Sequence, residues 1–221
     1  MKRLYLLVEG QTEETFVREL LTPHYARMDL FITPIIVSTS PGHRGGVTSY
    51  AKIKPQLTRL CKQDRGAKVS TLMDLYALPG DFPGKADAAY PTRGTGRQKA
   101  EFIEARLTQD VNEPNFLPHL MVYEFEAMLF VQPERFADWT DSRRAVEALI
   151  AISQAHPTPE DINDSPLTAP SKRILMHMPR YEKTFHGPLI ASEIGLDALR
   201  QACPHLDAWL TRLEQLVVSQ Q

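Results

Sequence analysis

Short apolar runs alternate with longer stretches of helical period through the first part of the chain. Leu4 to Val8 is a continuous apolar run closed by Glu9-Gly10, and after it Phe16, Val17, Leu20 and Leu21 fall on one helical face. The pattern predicts strands at Arg3–Val8, Phe31–Val37, Val69–Leu75 and His119–Tyr123, with helices at about 12–26, 48–63 and 96–110. Such alternation points to an α/β fold, a mainly parallel sheet flanked by helices. From Pro133 onward the period is helical, with candidates Arg143–Gln154, Ser171–Met178, Leu196–Ala202 and His205–Val218. A Pro-rich stretch, "HPTPEDINDSPLTAP", separates the first of these from the rest. The expected organisation is an α/β core over 1–131 and a helical extension over 132–221, packed on it as one compact domain because no long flexible linker divides them. Leu206, Leu210, Leu213 and Val217 share one face of the last helix, which packs internally or against a second copy in a homo-oligomer.

The polar positions that interrupt this pattern carry the candidate chemistry. Glu13 lies three, four and seven residues before Phe16, Val17 and Leu20, so it points at the sheet, whereas Glu14 points away. A carboxylate on a core-facing stripe needs a partner. Glu9 ends the first predicted strand, Asp74 the third, and Glu124 and Glu126 end or follow the fourth. Ligands in open parallel sheets sit beyond the carboxyl ends of the strands. If these strands are neighbours, the acids converge, and converging carboxylates must share protons, pair with a base or bind a cation. An oxygen-rich set with little sulfur or histidine suits Mg²⁺ or Mn²⁺. Alternatively, Glu13 and Glu14 complement the helix dipole and Asp74 caps a turn. Glu124 and Glu126 face one side if the chain is extended there, and diverge by about 200° if a helix has begun.

Composition narrows the partners. At 221 residues and a formal net charge of −2, the chain has no global field to attract nucleic acid or anionic lipid, so any such partner needs a local patch. Cys61 and Cys203 have no metal-ligand spacing and read as reduced, packed thiols. No apolar run reaches a membrane span, Leu4–Val8 is too short for a signal peptide, and a cytoplasmic protein without membrane contact is expected. "GDFPGK" at 80–85 is one residue short of a phosphate loop and Ala86 stands where Ser or Thr would bind Mg²⁺, and the seven histidines show no paired ligand spacing. Trp139 and Trp209 read as packing anchors, and "PGHRGG" at 41–46 reads as a loop in which His43 and Arg44 touch substrate or merely water.

Several segments, in order, carry a family resemblance: Val8-Glu9-Gly10-Gln11-Thr12-Glu13-Glu14, then Asp74-Leu75-Tyr76 with "LPGDFPG" close behind, "YEFEAMLF" at 123–130, "PSKRI" at 170–174 and "IGLDALRQACPHLDAWLTRLE" at 194–214. Together they resemble the Toprim domain. More closely, the chain resembles the small Toprim-like proteins of unknown function that bacteria carry beside ATPases, often in defence or mobile-element loci. Those proteins are distantly similar to overcoming-lysogenization-defect-type nucleases. The resemblance implies a Toprim-like α/β fold and a Mg²⁺- or Mn²⁺-dependent nuclease acting on DNA or RNA phosphodiesters. It also implies an ATPase partner. By position, Glu9 becomes the general acid/base or a metal ligand, and Asp74 a metal ligand, with Glu13, Glu124 and Glu126 as further ligands. Tyr76 stands where the family has its second Asp, so Glu124 or Glu126 is left to supply the missing oxygen. In the family a lysine beside the metals assists the chemistry, and Lys183 in "RYEKTFHG" is the candidate.

Substrate also needs positive charge against its phosphate. "KADAAYPTRGTGRQK" at 85–99 offers Arg93, Arg97 and Lys99, with two glycines that could present backbone N–H groups to phosphate. Ser171 and Lys172 are further contacts. Gly10, lacking Cβ, is expected to let backbone or ligand approach the acidic edge closely. Two other functions compete with the nuclease: a non-catalytic Toprim-like sensor or adaptor for an ATPase, which Tyr76 and the weak net charge favour, and a phosphatase-like domain with Asp74 as nucleophile.

Overall fold

A computed structural model describes residues 2–40, 43–76, 78–162, 165 and 167–218, without the side chains of 39, 40, 43, 44, 217 and 218. Its sheet is parallel throughout, in the order β2 (Leu30–Ile36), β1 (Lys2–Val8), β5 (Lys68–Asp74), then β6 (Phe116–Leu117), with β7 (Leu120–Met121) also pairing with β5. β1 lies between β2 and β5, with Val8 opposite Ile36 on one side and Leu72 on the other. Both faces of a parallel sheet are covered, which is why β1 reads as an unbroken apolar run. Leu4, Leu6, Val8 and Leu72 face one apolar layer, and Leu7, Val69 and Met73 the other.

The second layer is closed by α3 (Tyr50–Gln63) and α4 (Gly96–Val111), which bury Ile53, Leu57 and Leu60, and Ile103 and Leu107. The first layer is closed by α1 (Gln11–Phe16), a π turn at Val17–Leu21, α2 (Thr22–Ala26), and the C-terminal helices α5 (Arg143–Gln154), α6 (Pro170–His177), α7 (Lys183–Ile194), α8 (Leu196–Ala202) and α9 (Pro204–Val218). Between β7 and α5 run two 3₁₀ segments, Phe125–Val131 and Pro133–Trp139. Leu206, Leu210 and Leu213 are fully buried in the same cluster as Leu4 and Phe16, so this face of α9 packs internally. The Val217 side chain lies outside the described residues. Trp209 is buried and donates its indole N–H to Ser70 Oγ on β5 at 3.1 Å, pinning α9 to the sheet.

Three expectations need correction. The fourth strand is much shorter than His119–Tyr123, because Tyr123 adopts a left-handed φ of 64° that ends the extended run. Gly96 does not serve an open phosphate loop: a Cβ there would lie 2.4 Å from Val122 Cγ1, so the glycine permits α4 to abut the end of β7, while Thr95 and Gln98 cap the helix reciprocally. Nor is Gly10 sterically required, since a Cβ would meet only Glu13 Oε2, at an ordinary 3.6 Å. Helix α7 escaped the sequence pattern because Gly187-Pro188 lies inside it. The glycine has a packing reason: a Cβ would come within 3.0 Å of the Tyr181 hydroxyl and 3.4 Å of Phe125.

The "PGHRGG" loop belongs to a small hairpin of β3 (Ser38–Ser40) and β4 (His43–Arg44). Pro41 and Gly42, and the side chains of His43 and Arg44, lie outside the described residues. Gly45 and Gly46 take φ of 93° and 76°, and the Gly46 N–H donates to the Glu9 carbonyl at 3.0 Å. Among the described residues, no helix is long and apolar enough to cross a membrane.

Candidate metal centre at the carboxyl edge of the sheet

The adjacency of β1, β5 and β7 brings Glu9, Asp74 and the residues after Met121 to one edge. Glu9 directly follows β1, and one of its carboxylate oxygens accepts the Asp74 N–H at 3.1 Å. The Val47 N–H, just past the hairpin, also donates to the Glu9 carboxylate. Asp74 shares the β5 face of Ser70 and Leu72, and its Oδ1 accepts the Phe125 N–H at 2.8 Å. Glu13 is buried at the third position of α1 and reaches back to the Gly10 N–H at 2.8 Å, while Glu14 turns outward to pair with Arg18.

Glu124 is extended and Glu126 lies in the first turn of the following 3₁₀ segment, yet both carboxylates meet the same lysine. Lys183 Nζ is 3.8 Å from Glu124 and 3.3 Å from Glu126. The intervening Phe125 turns away and packs edge-on against Phe16 at 5.4 Å. Glu124 is held further by Ser171, whose N–H and hydroxyl donate to its two oxygens at 2.8 and 3.0 Å. The Ser171 hydroxyl is therefore committed to a carboxylate.

Electrostatically the cluster is overcrowded. Burial, then the neighbouring carboxylates, raises Asp74 well above the usual range. Burial, with Glu9 and Glu126 nearby, pushes Glu13 up to about 7. Glu9 and Glu126 are raised by burial as well, against the pull of backbone donors on Glu9 and of Lys183 on both. Lys183 is raised: burial opposes its charge, but Glu126, Glu124 and Asp74 more than compensate. Among the described residues, one ammonium against five carboxylates leaves a deficit of positive charge. Asp74, Glu124 and Glu126 each offer an oxygen within 4.8 Å of the others, so the donor set is all oxygen and fits a hard divalent cation.

The expected basic residues are placed less uniformly. Lys99 lies over the Tyr123 ring at 5.9 Å, one residue from Glu124. Lys172 is exposed beside Ser171, Arg93 is exposed, and Arg97 is paired with Glu101 at 2.7 Å. Two features were invisible in the sequence. The Val47 N–H reaches Glu9 only through the hairpin. Tyr181 is buried near Glu126 and Glu124, and among the described residues its hydroxyl has no hydrogen-bond partner.

A family model spans residues 8–214. The chain belongs to the family described as domain of unknown function DUF4276. All the acids above, and Lys183, fall within the DUF4276 match. No curated protein matches the chain. Among solved structures, this DUF4276 chain is similar to the C-terminal region of the Burkholderia pseudomallei OLD protein, at 15% identity and a TM-score of 0.50, over 98% of this chain and 99% of that one. It also matches the C-terminal region of the Xanthomonas campestris pv. campestris OLD protein at 16% identity and a TM-score of 0.42, over 96% and 98% of the two chains. At such identity the first likeness speaks to the fold alone, a mixed α/β sheet flanked by helices.

Proposed function

We propose that this chain is a divalent-metal-dependent phosphodiesterase of Toprim type that cleaves DNA or RNA. The observation that carries the reading is the meeting of Glu9, Glu13, Asp74, Glu124 and Glu126, drawn from the ends of three strands and the first helix, around the ammonium of Lys183. The likeness to the OLD protein region and the Toprim resemblance of the sequence support it.

Asp74, Glu124 and Glu126 would hold Mg²⁺ or Mn²⁺, with Glu9 and Glu13 at the margin. When bound, such an ion offsets the repulsion among the carboxylates and the negative charge of a phosphodiester. Glu124 and Glu126 supply the oxygen missing at Tyr76. Glu9, with its raised affinity for a proton, is suited to take a proton from a nucleophile or give one to a leaving oxygen. Lys183 stays charged and would donate to a phosphate oxygen of the substrate. Lys99 and Lys172 supply charge along the incoming strand, with Arg93 and Arg97 further out. The resemblance to ATPase-associated proteins supports a setting in bacterial defence or mobile elements, with an ATPase as partner.

The adaptor reading draws on one structural observation: Lys183 bridges Glu124 and Glu126, so the chain supplies these carboxylates with a cation of its own. The two readings separate in a cleavage assay on single- and double-stranded DNA and RNA with Mg²⁺ or Mn²⁺. The phosphodiesterase gives cleavage that is stopped by chelator and by Asp74→Ala. Absence of cleavage by the native chain, alone and with its ATPase, favours the adaptor.

A further inference from the structure

A second cluster of ionisable groups lies under α9. Glu104 sits on the buried stripe of α4, His119 immediately precedes β7, and His205 lies in the first turn of α9. Glu104 is 6% exposed and the two histidines no more than 2%. Glu104 Oε1 accepts the Leu120 N–H at 2.8 Å, and lies 2.8 Å from His205 Nε2 and 3.5 Å from His119 Nδ1. The His119 ring stacks on Trp209, with centroids 4.4 Å apart and planes within 5°, and lies beside His205, with centroids 5.0 Å apart and planes 26° apart. Yet among the described residues neither ring nitrogen of His119 makes a hydrogen bond of ordinary geometry, since the Glu104 oxygen stays 3.5 Å from Nδ1 and Nε2 meets nothing. A neutral imidazole carries one N–H and one lone pair, and leaving both unmatched in the interior is costly.

We infer that Glu104, His119 and His205 form a site for a borderline transition-metal ion, Zn²⁺ foremost, that ties α4 and α9 to the edge of the sheet. Tetrahedral Zn²⁺ with bonds of about 2.0–2.1 Å sets its ligand atoms about 3.3 Å apart, and the observed 2.8 and 3.5 Å bracket that value. Two imidazoles sharing such an ion have ring centroids about 5 Å apart, which matches the 5.0 Å here. Two nitrogens and one carboxylate oxygen suit zinc far better than Mg²⁺ or Ca²⁺. Neutral imidazole is the form that ligates such an ion. Arg212, 3.9 Å from the second oxygen of Glu104, steadies the carboxylate from behind. A cavity of about 10 Å³ lined by His119, Glu160 and Cys203 is on the scale of one water, which would serve the remaining His119 nitrogen. So enclosed a site would be filled as the chain folds, and the bound ion would exchange slowly.

The test unfolds the full-length chain with chelator and refolds it with Zn²⁺, Co²⁺ or neither. One equivalent retained after desalting, the strong visible absorption of four-coordinate Co²⁺, and a higher Tm for the loaded chain are expected. Asp74→Asn should keep the ion, whereas His119→Asn and His205→Asn should lose it. If the histidine variants fail to fold, the Co²⁺ spectrum of Asp74→Asn decides alone: nitrogen-rich four-coordinate bands support the site. No retained ion, or an ion lost with Asp74→Asn, overturns it.

Discussion

Two clusters of buried carboxylates stand on this sheet, and they solve the problem of buried charge in opposite ways. Around Glu104, the acid itself is matched: His205 and a backbone N–H bond the carboxylate at 2.8 Å, His119 and Arg212 stand 3.5 and 3.9 Å from it, and Trp209 stacks on His119, whose ring is the one member left over. Around Asp74, five acids face Lys183 among the described residues, and Glu9, Glu13, Asp74 and Glu126 hold their protons more tightly than free carboxyls do. A matched cluster stabilises the fold that builds it. An unmatched one costs stability unless something positive arrives, and such strain is what a binding site for a cation or its substrate carries.

The largest expected contrast is functional. Asp74→Ala should reduce metal-dependent cleavage by about 10³-fold or more, roughly 4 kcal/mol of barrier, measured as initial rate on a labelled oligonucleotide. Glu104→Ala should act on stability, by about 2–5 kcal/mol, because the Leu120 N–H and His205 lose their acceptor in the interior. Denaturant melts of the two variants would break the comparison if Asp74→Asn destabilised the metal-free chain as much as Glu104→Ala does. The expectation is that Asp74→Asn raises its Tm.

Next in size is pH. Glu13 titrates near 7 in the folded chain against about 4.5 unfolded, so the stability tied to its protonated form is complete below pH 4.5 and lost as pH rises through 7. That loss is on the order of 1–3 kcal/mol. His119 runs the other way: its folded value near 4 lies below 6.5, so its contribution is complete above pH 6.5 and lost as pH falls through 4. The metal-free Tm should therefore peak on the acidic side of neutrality, and saturating Mg²⁺ should flatten the alkaline arm alone. The smallest effect is expected at Glu14, whose exposed pairing with Arg18 is worth about 0.5 kcal/mol or less in a Glu14→Ala melt.

Much of the acidic edge was legible because periodicity fixes direction. Glu13 on the stripe of Phe16 and Val17 had to point inward, and acids at strand ends meet when the strands are neighbours. Whether Glu124 and Glu126 face one side was not legible, since the 3₁₀ turn that serves both lies between the strand and helix alternatives. Tyr181 and the seat of Lys183 depend on α7, which Gly187-Pro188 disguised. The Glu104 cluster leaves a partial trace in the sequence: Glu104 follows Ala100 and Ile103 on a buried stripe just as Glu13 precedes Phe16. Its histidines come from positions far apart in the chain, and only the fold joins them.

The central claim is that the acids at the sheet edge await a cation. Calorimetric titration of the native chain with Mn²⁺, beside Asp74→Ala and Glu9→Ala shown by circular dichroism to be folded, tests it most directly. Saturable binding by the native chain that Asp74→Ala abolishes and Glu9→Ala abolishes or weakens is the predicted result. A native chain that binds no Mn²⁺ even with an oligonucleotide present, or binding untouched by Asp74→Ala, would contradict it.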